Sequence, residues 1–207
     1  AEVTLQGFFA LGERRLLRFV CKLTFAYAGG RIDGSLAVHN PHAARHPGGL
    51  WDRGDATSLY FDALELGLEL PSVDSDDGIG RLRSNGQDAW LPVNARAEIV
   101  QFASGGKHWN SPVHVDAWGK VNFPESGYRL EIDGEVVRGR RAQPVIQACR
   151  ECIAFSAELS QFWQQFPSAL SLREDRLSLG LFPEVGHAHE LQPGERKTLR
   201  FSLHLQS

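Results

Sequence analysis

Residues 15 to 27, RLLRFVCKLTFAY, alternate. Leu17, Phe19, Cys21, Leu23, Phe25 and Tyr27 fall on one parity, while Arg18, Lys22 and Thr24 fall on the other. Successive side chains of an extended chain point to opposite faces, so this pattern predicts a strand with one buried face. Ala28-Gly29-Gly30 breaks it, and Ile32 to Val38 reads as the returning strand of a hairpin, because paired glycines supply the positive φ that tight turns require. The same alternation recurs at 59 to 70, 96 to 103, 127 to 133, 152 to 160, 176 to 182 and 198 to 205. It is most regular in the last, where Leu199, Phe201, Leu203 and Leu205 alternate with Arg200, Ser202 and His204.

Eight such runs, punctuated by 21 glycines and 10 prolines and with hardly any helical periodicity, predict an all-β fold. Long strands joined by long irregular connections favour a large antiparallel β-sandwich, supersandwich-like, with few or no helices. Helix competes only at 158 to 170, ELSQFWQQFPSAL, which Pro167 ends in either state. A chain of 207 residues can bury a full core without staples, and a single domain spanning 1 to 207 is expected. The start at Ala1 and the absence of methionine favour a segment of a longer multidomain protein. Cys21, Cys149 and Cys152 cannot all pair with one another, which leaves the redox compartment open.

A net charge of −3 argues against an electrostatic footprint for nucleic acid or an anionic membrane. No run approaches the ~20 apolar residues of a membrane-spanning helix. The chemistry concentrates instead on two long connections, which in compact domains tend to carry function. The first, 39 to 58, holds His39, His42, Arg45, His46, Trp51, Asp52, Arg53 and Asp55; the second, 103 to 126, holds Lys107, His108, Trp109, His114, Asp116 and Trp118. Tryptophan faces stack on sugar rings while Asp, Arg and His bond hydroxyls and carboxylates, so this mixture fits a carbohydrate surface. Equally, Trp51 and Trp109 can plug the ends of a sandwich, with Asp52 and Asp55 capping turns.

His187 and His189, two apart, share one face of a strand, as metal ligands can, but Pro183, Gly186 and Pro193 around them favour a solvated turn. Cys149-Arg150-Glu151-Cys152 is half of a zinc ribbon without the other half. Asp74 to Gly78 lacks the fifth-position oxygen and the terminal Glu of a calcium loop. No metal site is assigned and no cofactor is required, although a divalent cation stays open as an alternative.

The blocks NPHAARHPGGLWDRGD, SGGKHWNSPVHV, FWQQFPSAL and LGLFPEVGHAHELQPGERKT, in that order, resemble the central β-sandwich domain of the exo-rhamnogalacturonan-lyase-like family, from about His39 to Thr198. The resemblance implies a module between an N-terminal barrel-like domain and a C-terminal α/α toroid, acting on rhamnogalacturonan or pectin outside the cytoplasm. It implies roles for Arg45, His46, Trp51, Asp52, Asp55, Trp109, His114, His189 and Glu190. The chain departs from the family at Lys107-His108, where Glu-Asn is expected, and at Leu199, where a His is expected. For β-elimination, a cation must neutralise the uronate carboxylate and a neutral base must take the C5 proton. Arg45 or Arg53 is assigned the first part and His46 or His114 the second. Trp51, Asp52, Asp55, Lys107, His108, Trp109, His189 and Glu190 are assigned to substrate. The alternative expectation is a noncatalytic carbohydrate-binding module, or a purely structural one.

Overall fold

The computed structural model describes residues 1–27, 29–45, 55–71, 78–84, 89–109, 123–150 and 153–206. Their regular structure is entirely β. Sixteen strands follow in order: β1 (Glu2–Leu11), β2 (Arg14–Phe25), β3 (Arg31–His39), β4 (Leu59–Phe61), β5 (Leu64–Glu69), β6 (Gly80–Arg83), β7 (Leu91–Val93), β8 (Arg96–Gln101), β9 (Tyr128–Ile132), β10 (Glu135–Gly139), β11 (Val145–Arg150), β12 (Ile153–Leu159), β13 (Ser168–Arg173), β14 (Arg176–Phe182), β15 (His189–Leu191) and β16 (Arg196–Gln206). An eight-stranded sheet runs β1-β2-β3-β16-β12-β11-β6-β7 and faces a six-stranded sheet β10-β9-β8-β13-β14-β5; β15 and β4 form a separate pair. Every pairing is antiparallel.

The predicted alternation is what packs. Leu17 and Cys21 of β2, Leu36 and Val38 of β3, and Leu199 and Phe201 of β16 join Ile99, Leu130, Leu170, Leu172, Leu177 and Leu179 of the facing sheet in one core. Burial raises the Cys21 thiol pKa, as expected for a thiol used as a small apolar side chain. The hairpin joining β2 and β3 turns through Gly29 and Gly30, at φ 89° and 62°. A side chain at Gly30 would also strike the Leu205 carbonyl, because its Cβ would lie 2.3 Å from that oxygen.

Two sequence expectations change. The run 59 to 70 is two strands: β4 pairs with β15, whereas β5 pairs with β14 in the six-stranded sheet, so the chain changes partner across Asp62 and Ala63. The segment 158 to 170 is not helical. It completes β12, turns at 160–165, where the Gln164 and Gln165 amides both donate to the Gln161 carbonyl at 3.0 Å, and enters β13. Bringing β12 and β13 into opposite sheets requires that reversal.

Candidate functional site

The ladder register places cross-strand residues on one face. Along the solvent side of the eight-stranded sheet, Arg18, His39 and Arg196 lie opposite one another across β2, β3 and β16. Val20, Ala37 and Thr198 form the next row on this face, followed by Lys22, Ser35 and Arg200. These positions alternate with the core residues of the same strands, so they point away from the sandwich. With strands about 4.8 Å apart, Arg18 and Arg196 stand roughly 10 Å from each other across His39.

Among the described residues Arg18, Lys22, Arg196 and Arg200 form no ion pair, whereas Arg31, Arg96, Arg129, Arg138 and Arg176 each meet a carboxylate. Two of the acids beside this array are engaged locally, while Glu158 lies opposite Ser202 on the same face and Glu195 lines the larger groove. Asp33 accepts from Arg31 at 2.9 Å and from the Ser202 hydroxyl at 2.6 Å, and these hydrogen bonds hold its carboxyl below the usual aspartate range. Glu195 accepts from the Gln192 amide at 2.8 Å and so closes its own turn. Arg18 and Arg196 flank His39 from either side, and a cationic row without ion pairs is a site that an anion stabilises.

Two grooves open on this face and share Arg196. One, of about 460 Å³, is lined by Ser160, Gln161, Gln164, Gln165, Thr198 and Arg200 among others. The second, of about 370 Å³, lies between Arg18, His39, Gly194 and Arg196, over Val20 and Ala37. The three glutamines come from the turn after β12. There Gln161 takes a left-handed φ of 57°, a conformation uncommon outside glycine and asparagine. Amides donate and accept side by side, which matches neighbouring hydroxyls, while guanidinium groups match carboxylates bidentately.

Beneath the larger groove lie two polar side chains of a different kind, Lys197 half-buried with its amine turned inward and His189 buried. Lys197 lines the groove, but its Nζ donates to the Pro167 carbonyl at 2.6 Å and sits 4.3 Å above the Phe182 ring centre. Burial lowers its pKa to about 7, against the attraction of Glu195. His189 is buried, its ring 5.2 Å from that of Phe182 and 6.1 Å from that of Phe61. Its Nε2 lies 2.7 Å from the Pro183 carbonyl, which can only accept, so that nitrogen carries the proton. Burial lowers its pKa to about 4, leaving the ring neutral.

His46, Trp51, Asp52, Arg53 and His114 lie outside the described residues, as do Asp116, Trp118, Cys152 and the acidic run 74 to 77. Asp55 is buried and accepts from the Arg45 amide at 2.7 Å, the Thr57 amide at 2.8 Å and the Thr57 hydroxyl at 2.8 Å, so it shapes the first loop. The Arg45 side chain is exposed beside it. Glu190 accepts from the Ser58 hydroxyl at 2.7 Å and ties β15 to the same loop. Lys107 and His108 are exposed and Trp109 is half-buried, its amide donating to Gly106 at 3.4 Å. His187 approaches His189 at 5.9 Å between ring centres, but no three His, Cys, Asp or Glu gather as a metal site among the described residues. The sequence does not reveal the cationic face, because His39 falls in the first long connection and Arg18 and Arg200 read only as the exposed parity of strands that lie far apart along the chain.

No family model matches the chain, and no curated protein matches it. Solved structures align over nearly all of it at low similarity. They include a galactose mutarotase related enzyme from Lactobacillus acidophilus (TM-score 0.46, 8% identity, 100% of this chain and 68% of that one). A putative aldose 1-epimerase from Escherichia coli K12 aligns at TM-score 0.38 and 14% identity, over 99% of this chain and 65% of that one. A protein from Synechocystis sp. PCC 6803 aligns at TM-score 0.44 and 11% identity, over 99% of this chain and 61% of its own. At such values no activity passes from those proteins to this chain.

These findings overturn the exo-rhamnogalacturonan-lyase-like resemblance and the β-elimination reading built on it: no family model supports it, and the two aligned structures whose descriptions name an activity are a galactose mutarotase related enzyme and a putative aldose 1-epimerase, not lyases. The loop blocks that carried it, NPHAARHPGGLWDRGD and SGGKHWNSPVHV above all, are rich in Gly, Pro, Asn, Asp and Ser, which turns select in unrelated sandwiches.

Proposed function

We propose that the chain is a noncatalytic binding module that holds an anionic saccharide against the solvent face of its eight-stranded sheet. The observation that carries this reading is the array of Arg18 and Lys22 on β2 and Arg196 and Arg200 on β16, the two strands that flank β3, which forms no ion pair among the described residues and borders two grooves that meet at Arg196. The cations receive carboxylates or sulfates, and Gln161, Gln164, Gln165 and Thr198 receive ring hydroxyls. His189, neutral and tied to a backbone carbonyl, serves the packing under the groove. Lys107 and His108, if they contact the ligand, act as added donors outside this array.

Calorimetry with a uronic-acid tetrasaccharide and with its methyl-esterified form tests the reading, because esterification removes charge and keeps the sugar. Binding of the acid alone, weakened at least tenfold in Arg196→Gln/Arg200→Gln (about 1.4 kcal/mol or more) and falling with salt, is the expected result. Equal affinity for both forms removes the electrostatic argument. Binding of inorganic phosphate as tight as the tetrasaccharide removes the saccharide.

A further inference from the structure

The eight-stranded sheet is wider than its six-stranded partner, and the excess falls at β1. The inner-face residues of β2, Leu17, Phe19, Cys21 and Leu23, pair with Phe9, Gly7, Leu5 and Val3 of β1. On β2 this row is buried or half-buried, but on β1 Val3 is 41% exposed, Leu5 53%, Phe9 43% and Leu11, next on the same parity, 75%. An apolar row that is core on one strand is left open on the next.

The outer edge of β1 is also open. Ala1 and Phe25 exchange both backbone hydrogen bonds, at 3.0 and 2.8 Å, so odd-numbered residues of β1 direct N–H and C=O toward β2. Thr4, Gln6, Phe8 and Ala10 direct theirs to the free edge, since β1 ends the sheet among the described residues. The strand is ten residues long and carries no proline, no lysine and a single charge, Glu2. Such an edge lacks the devices that keep sheets apart.

We infer that β1 is the interface with a second copy of this chain, pairing antiparallel with its own counterpart about a two-fold axis at Gly7. In that register Leu5 faces Phe9 of the other copy, Val3 faces Leu11, and Gly7 faces Gly7. The small central residue is needed already within one chain, because the Phe19 ring lies over Gly7, where a Cβ would approach it to 2.9 Å. Gln6 and Phe8 pair with each other, as do Thr4 and Ala10, so the outward backbone groups are satisfied reciprocally.

Charge agrees with this choice of partner. Glu2 of one copy comes opposite Gly12 of the other and Glu13 opposite Ala1, with the exposed Arg14 and Arg15 next in the chain, so no like charges face each other directly. The exposed parts of Val3, Leu5, Phe8, Phe9 and Leu11 leave roughly 500 Å² of apolar surface per copy, to which the edge backbone adds, against about 800 Å² per partner in a stable interface. The inference is independent of the saccharide reading, because β1 contributes nothing to either groove.

Sedimentation velocity on the 207-residue chain across a dilution series to about 100 µM decides it, with wild type compared with Gln6→Pro and Leu5→Lys. Proline at position 6 deletes an outward N–H without touching the β1–β2 ladder, and lysine at position 5 places charge in the apolar row. A wild-type dimer whose dissociation constant rises at least tenfold in each variant that keeps the native far-ultraviolet circular dichroism is the expected result. Should Gln6→Pro lose that spectrum, Leu5→Lys decides alone. A monomer throughout, which would give the face to a different protein segment, overturns the inference. A dimer indifferent to the folded variants does so too.

Discussion

Lys197 gives the fold a pH dependence that can be isolated by one substitution. Its side chain runs down from the groove, and its amine is enclosed against the Pro167 carbonyl and the Phe182 ring, with a folded-state pKa of about 7. In the unfolded chain the amine titrates near its ordinary value, about 10.4. Between these two values the unfolded state binds more protons than the folded one, so stability rises with pH through that window. Below pH 7 both states are charged and the full burial penalty is present. Integrating the proton difference from pH 7.5 to 9.5 gives a gain of about 2–3 kcal/mol attributable to this one group. Lys197→Met removes the titration, keeps most of the stem volume and leaves the Pro167 carbonyl without its donor, a loss of about 1–3 kcal/mol that is independent of pH. Urea unfolding of both proteins at pH 6.5, 7.5, 8.5 and 9.5 therefore yields a difference between wild type and variant that shifts toward wild type by about 2–3 kcal/mol from pH 7.5 to 9.5. Other titrating groups cancel in the difference. Parallel pH profiles would refute the claim that burial holds this amine near neutrality.

Asn40→Ala should lower stability by about 2–4 kcal/mol in the same assay, because Nδ2 donates to the Thr57 and Leu191 carbonyls at 3.0 Å each and Oδ1 accepts from the His42 amide at 3.1 Å, in a fully buried setting. Gly34→Ala should cost about 1–3 kcal/mol or misfold the β3–β16 ladder, since its Cβ would lie 2.1 Å from the Phe201 ring, itself fully buried; a thermal midpoint equal to wild type would show that Phe201 can move aside. Asp55→Ala frees the Arg45 and Thr57 amides and should lose about 1–2 kcal/mol, with faster proteolysis in the loop 40 to 58 than in the strands as its local signature.

How much of this was legible beforehand differs by level. The strands β2, β3, β14 and β16 were readable to within a few residues because a sheet with one buried face imposes period-2 alternation on the chain itself. β6, β7 and β15 were not, because three or four residues carry too little period. β1 is hard to read because its alternation, Val3 and Leu5 against Glu2, Thr4 and Gln6, is broken by Gly7-Phe8-Phe9. The loop residues singled out for chemistry were chosen by type, yet type does not reveal that Asp55 and Glu190 are occupied by Thr57 and Ser58, or that His189 is buried against a carbonyl.

By itself the sequence determined the all-β class, the hairpin of β2 and β3 and the parity of the core, because these depend on local stereochemistry and hydrophobic period. Tertiary structure alone decided that β16 lies beside β3, and hence that Arg196 and Arg200 meet Arg18 and Lys22 on one face. Strand order is fixed by which apolar faces bury each other best across the whole domain. The sum of charges on a face follows from that order, and no window of the sequence contains it.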